Sequence, residues 1–167
     1  DWNQPQIISV TGVDDLIPIS DGAINYNIFI NEISSTDPYY GNIIPGSIGA
    51  LLMTNQDNDF AGVTLYLLED DNQTDEYGDI VRIAFSLNSK PINEEDVVIP
   101  ITLQDNIDEI ALLETQVKVE NQFWDKPESN IVTLTGLDDL LLDGDKIVNF
   151  VTGDPNSNDS AYEQLNG

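Results

Sequence analysis

Carboxylates are the only residues in this chain whose number and spacing suit chemistry, and they fall into three clusters. Asp138-Asp139 stands with Asp143-Gly144-Asp145 in the run DDLLLDGD, and its counterpart is Asp14-Asp15 with Asp21 in DDLIPISDG. Asp57-Asn58-Asp59 is the second cluster. Glu69-Asp70-Asp71 with Asp75, Glu76 and Asp79 is the third. Acids this close repel one another, and a cation taking about six to eight oxygen ligands relieves that repulsion. The chain has no His and no Cys, so a hard ion such as Ca²⁺ is expected ahead of zinc or copper. In an extended segment Asp57 and Asp59 project to the same side, and Gly144 can take a positive φ that turns carbonyls inward. The EF-hand spacing DxDxDGx₅E is absent. For an isolated Asp pair a solvating acidic loop is the commoner explanation; for the repeated Asp-Asp…Asp-Gly element Ca²⁺ is favoured over it.

The same composition removes other chemistries. There are 31 acidic residues against 5 basic ones in 167, a net charge of −26. No basic stripe for nucleic acid can be assembled, and anionic membrane surfaces repel the chain. Without Cys there is no disulfide, thiol nucleophile or iron–sulfur site; without His a Ser–His–Asp triad is impossible. A glycosidase-like carboxylate pair needs two acids across a cleft, whereas these acids sit in turn-like runs. No enzyme is expected. No apolar stretch approaches the roughly 18 residues of a membrane span. The opening DWNQPQ has neither an initiator Met nor a signal peptide, so the chain reads as a piece of something longer.

The elements that must hold these acids are strands. Asp (21) and Asn (17) far exceed Glu (10), a balance that suits turns between strands more than helices. Alternating apolar runs occur at 7–11, 23–30, 63–68, 80–87, 97–103, 116–120, 131–135 and 146–151. In 23–30, Ile24, Tyr26, Ile28 and Ile30 share a face; in 80–87, Val81, Ile83, Phe85 and Leu87 do. Turn-forming clusters at 70–79, 88–96, 104–109 and 124–130 separate them. Residues 107–115 suit either a helical turn or a strand beginning near Ala111. Many short, evenly spaced strands predict an all-β, antiparallel sandwich.

The chain also repeats itself. Trp2-Asn-Gln-Pro5 returns as Trp124-Asp-Lys-Pro127, Asp21-Gly22 as Asp143-Gly144, and Asp37-Pro-Tyr-Tyr40 as Asp159-Ser-Ala-Tyr162, each at a shift of 122. Thr11-Gly-Val-Asp-Asp15 returns as Thr135-Gly-Leu-Asp-Asp139 at a shift of 124. Landmarks in constant order define a tandem unit of about 120 residues. Residues 1–59 read as the C-terminal part of one unit and 60–167 as most of the next, with packing of both into one sandwich left open. Recurrence of Trp2 and Trp124 favours a packing role at a sandwich edge over sugar stacking. Tyr39, Tyr40 and Tyr77 lie in loops, where anchoring is the commoner role and ligand contact the rarer. Asn72-Gln-Thr74 and Asn158-Asp-Ser160 match the glycosylation sequon, a weak signal by itself.

Taken in order, Phe123-Trp-Asp-Lys-Pro127, Val132-Thr-Leu-Thr-Gly-Leu-Asp-Asp139 and Asp143-Gly-Asp145 resemble the Calx-β-type repeats of giant bacterial surface proteins. So do Thr54-Asn-Gln-Asp-Asn-Asp59 with Ala61-Gly-Val-Thr64, and Phe85-Ser-Leu-Asn-Ser-Lys-Pro91 with Val98-Ile-Pro-Ile101. The resemblance spans nearly the whole chain. It implies an Ig-like Greek-key β-sandwich with Ca²⁺ held by acids at one end. Matched residue by residue, it assigns Asp138, Asp139, Asp143 and Asp145 as ligands. It adds Asp57 and Asp59, with Asn58 where the family carries an acid, and either Glu69 or Glu76. In the earlier unit it assigns Asp14, Asp15 and Asp21, where two extra residues follow Asp15. The implied protein is a Ca²⁺-binding spacer or adhesion repeat of a long, secreted, cell-surface or fibre protein. Its partners would be neighbouring repeats or identical chains. A module binding a glycan or surface ligand through the tyrosine loops is the alternative.

Overall fold

The computed structural model describes residues 3–15, 22–44, 46–47, 49–69, 71–142 and 144–167. The protein is mostly β, all of its sheets are antiparallel, and its helices are single turns. Among the described residues no helix is long and apolar enough to cross a membrane. The described residues form two compact units, one of residues 3–15 with 22–58 and one from residue 59 onward.

In the first unit a single antiparallel ladder joins β1 (Ile24–Ile28) to β2 (Leu51–Asn55), with Ile24 opposite Asn55 and Ile28 opposite Leu51. Tyr26 and Ile28 are half-buried, as the alternation requires, while Ile24 and Leu51 remain exposed. A one-turn helix, α1 (Pro38–Gly41), follows β1; Asp37 caps it by accepting the Tyr39 N–H at 2.9 Å. Residues 7–11, expected as a strand, form none, and Ile7 and Ile8 are almost wholly exposed.

The second unit contains two sheets. One has the order β3 (Val63–Leu67), β4 (Ile80–Leu87), β8 (Ile131–Gly136), β6 (Ile110–Leu112). The other is β7 (Gln116–Val119), β5 (Val97–Gln104), β9 (Asn149–Thr152). Both sheets feed one core: Phe85 and Leu87 from β4 and Val132 from β8 meet Val97, Ile99 and Ile101 from β5 and Val117 and Val119 from β7. Trp124 packs against this core, the packing role its recurrence suggested; Trp2 lies outside the described residues. β4 is paired along both edges, by β3 and β8, and its second half is buried on both faces, Ala84 and Ser86 as well as Phe85 and Leu87, whereas Ile80 and Arg82 are exposed. β5 changes partner midway: Val97–Pro100 pair with β7 and Ile101–Gln104 with β9. Pro100, which has no N–H to give, sits at that change, where a missing donor is tolerated.

A buried polar brace closes the unit. In α2 (Ser160–Glu163) Tyr162 is fully buried, and its hydroxyl donates to the Ser89 carbonyl and accepts the Ser89 N–H. Asp159, also buried, caps α2 through the Ala161 N–H at 2.8 Å and accepts the Ile92 N–H at 2.9 Å. Asn130 donates its side-chain amide to the carbonyls of Phe85, Phe123 and Lys126. Burial pushes the Tyr162 phenol above the ordinary tyrosine range, against the smaller downward pull of its Ser89 hydrogen bonds. The folded state therefore keeps a proton that the unfolded chain releases near pH 10, so this stability is complete below about pH 10 and falls as pH rises above it. Tyr162→Phe should cost about 1–3 kcal/mol at neutral pH, because it strands a buried carbonyl, and should flatten the alkaline loss of stability. Urea midpoints at neutral and alkaline pH measure both effects.

Candidate metal centre

Asp14, Asp15 and Asp57 stand at the end of the first unit's hairpin where β1 begins and β2 ends. Because β1 and β2 are antiparallel, the chain entering β1 and the chain leaving β2 meet at the same end. Gly22, at φ +65°, makes the turn into β1, a conformation that side chains with a Cβ seldom adopt. Asn55, the last residue of β2, donates its side-chain amide to the Val13 carbonyl at 3.4 Å, and beside it Thr54 donates to the Asn25 side chain at 2.7 Å. Asn55 thus holds the 13–15 segment against the strand exit. A shallow cleft of about 20 Å³ forms here, lined by Val13, Asp14, Asp15, Gly22, Asn55 and Asp57 among others. It has room for one water or one small ion.

Asp15, Asp57 and Asp59 each offer a carboxylate oxygen, and these three oxygens lie within 4.8 Å of one another. Among the described residues this is the group that converges closely enough to hold an ion. Asp15 is exposed and Asp57 and Asp59 are half-buried. Oδ2 of Asp57 and Oδ2 of Asp59 are shielded from solvent, and both residues take part in interactions within the protein. Two full charges at this separation repel by about 1 kcal/mol in bulk water and by more as water is excluded. Three carboxylates supply up to six hard oxygens and neither nitrogen nor sulfur, a donor set suited to Ca²⁺.

The remaining sequence candidates are placed differently. Asp14 lines the cleft beside Asp15. Asp21 and Asp143 lie outside the described residues. Asp138 and Asp139 each accept a main-chain N–H two residues on, from Leu140 at 3.0 Å and Leu141 at 2.8 Å, and so shape their own loop. Asp145 is exposed, and Glu76 lies in the exposed turn after Asp75. Glu69 grips Arg82, accepting its main-chain N–H at 2.6 Å and its Nε at 2.7 Å. Those bonds, the main-chain one foremost, hold the Glu69 carboxyl below its ordinary range.

Sequence reasoning set Asp15 in one cluster and Asp57 with Asp59 in another, without joining them. The missing signal was β2: once LLMTN is paired with 24–28, the two acidic segments must meet. Searched against protein-family models, curated proteins and solved structures, the chain finds no match in any of the three.

Because the Glu69 carboxyl is held low in the folded state, its stabilising effect is present above the ordinary Glu range, about pH 4.3, and is lost as pH falls through the lower folded value. Glu69→Gln should reduce the acid-side slope of stability against pH and leave Ca²⁺ affinity unchanged; urea midpoints across acid pH and a calorimetric Ca²⁺ titration check the two halves.

Proposed function

We propose that this chain is a non-catalytic, Ca²⁺-binding structural repeat: a Greek-key β-sandwich of Calx-β type, serving as a spacer or adhesion element of a long, secreted cell-surface or fibre protein. The observation that carries the metal reading is the convergence of Asp15, Asp57 and Asp59. The architectural reading draws on two antiparallel sheets sharing one core, on the tandem repeat and on the quoted motifs. An ion at the three acids ties the 13–15 segment to the exit of β2, so order there is linked to Ca²⁺ by mass action. Neighbouring repeats or identical chains are the proposed partners. A second reading, a glycan- or surface-ligand module, draws on the nearly complete exposure of Tyr39 and Tyr77; a glycan array comparing wild type with Tyr39→Ala and Tyr77→Ala separates the two.

Extracellular modules hold Ca²⁺ with dissociation constants near 10⁻⁴–10⁻³ M. Ten millimolar Ca²⁺ should then stabilise the hairpin by about 1–3 kcal/mol, read as slower amide exchange over 24–28 and 51–55 and as binding heat in calorimetry. The double substitution Asp57→Asn, Asp59→Asn should remove both signals, and Asp138→Asn, Asp139→Asn should leave them. High salt should mimic part of the Ca²⁺ effect by screening the acids. Absence of binding heat at millimolar Ca²⁺ overturns the metal assignment.

A further inference from the structure

The repeat places the same local device in two different surroundings. Around α2, the Asp159 N–H donates to Ser157 Oγ at 3.1 Å, Asp159 Oδ1 accepts the Ala161 N–H at 2.8 Å, and the Tyr162 N–H reaches the Asp159 carbonyl at 3.1 Å. Around α1, the Asp37 N–H donates to Ser35 Oγ at 3.1 Å, Asp37 Oδ1 accepts the Tyr39 N–H at 2.9 Å, and the Tyr40 N–H reaches the Asp37 carbonyl at 3.1 Å. The cap dihedrals agree too: φ −78° and ψ 120° at Asp37, φ −76° and ψ 115° at Asp159. The outcome for the tyrosine is opposite. Tyr162 is 0 % exposed and Tyr40 is 62 % exposed.

The groups that receive the segment carrying Tyr162 come mainly from residues 60–123. Ser89 receives its hydroxyl, the Ile92 N–H meets Asp159 Oδ2, the Asp96 carbonyl accepts from Ser157 Oγ, and Val98 exchanges two main-chain hydrogen bonds with Asn156. β5, in the same stretch, pairs with β9 along one edge. At the repeat shift of 122, the groups that would meet this receiver are the Ser34 main chain, Ser35, Asp37, Tyr40 and the strand edge at 27–30. Ser35, Asp37 and Tyr40 are exposed and already hold the docked geometry.

We infer that residues 7–12 and 24–43 form an interaction surface whose occupant is a second copy of the half formed by residues 60–123, with Tyr40 seated against that copy's Ser89 position and residues 27–30 extending its β5. The recognition is strand addition along a sheet edge with a tyrosine lock. Because the α1 turn is preformed, docking orders few new torsions. Residues 7–12, equivalent to β8, would enter the same copy as a central strand, flanked by the counterparts of β4 and β6. The inference does not depend on Ca²⁺.

The test uses the full chain with a second copy of residues 60–123 fused directly ahead of Trp2, as the resident copy stands ahead of Trp124, in EDTA throughout. Amide exchange over 7–12 and 24–30 should slow at least ~100-fold relative to the unfused chain, with the resident 131–136 amides protected in both as the control for folding. Tyr40→Ala in the fused chain should abolish the gain and leave 131–136 protected. Protection that fails to rise overturns the inference. So does a gain that survives Tyr40→Ala, and so does one abolished by Tyr162→Ala instead, which would mean that the added half captures residues 124–167.

Discussion

A β-strand cannot satisfy its own backbone: its N–H and C=O groups need a neighbouring strand, and its apolar face needs a second layer. That requirement governs this chain more than local sequence does. Ile131–Gly136 and residues 7–12 read almost alike, IVTLTG and IISVTG. The first is the strand between β4 and β6, with Val132 and Leu134 buried. The second forms no strand, and its Ile side chains face water. The same β-propensity gives two outcomes because propensity here measures fit to a surface that neighbours supply.

In the second unit the neighbours arrive in an order that makes the last segment decisive. β3 to β7 build most of both sheets, and residues 124–163 then supply β8, β9 and the Tyr162 lock. The lock joins segments 73 residues apart in sequence through Tyr162 and Ser89. It satisfies main-chain groups of the 89–96 connection that no ladder reaches, and an orphaned polar group there would weigh more than the modest net value of each hydrogen bond made. The Asp159 carboxylate is tolerated in full burial for the same reason: main-chain N–H groups of Ile92 and Ala161 surround it.

Much of the second unit was legible in the sequence. The runs at 63–68, 80–87, 97–103, 116–120 and 131–135 all became strands, because each alternates over several residues and has the neighbours it needs. The run at 146–151 shortened to Asn149–Thr152, the part of it that pairs with β5. β2 was missed, since LLMTN carries no clean alternation and only pairing with β1 makes it a strand. The candidate site followed the same logic. Asp57 and Asp59 were visible as a DxD pair, and Asp15 as part of a repeated motif. Their meeting depends on a hairpin register that composition and spacing do not encode. The family resemblance offered either Glu69 or Glu76, and of these the Glu69 carboxylate is engaged by the Arg82 main chain and guanidinium.

The charge of −26 therefore has two parts with different physics. Most of the acids stand in exposed turns such as 71–79 and 105–109, where solvent and salt screen them and where several cap main-chain N–H groups, as Asp75 does for Tyr77 and Asp79. Exposed acids of this kind lose little by lacking a counter-ion. Asp15, Asp57 and Asp59 are different, because each brings a carboxylate oxygen within 4.8 Å of the other two. A fold that relied only on acidic residues for solubility would spread them, since spreading lowers repulsion without cost to hydration. Bringing three of them together costs repulsion that spreading would avoid, and the proposed cation site rests on that convergence.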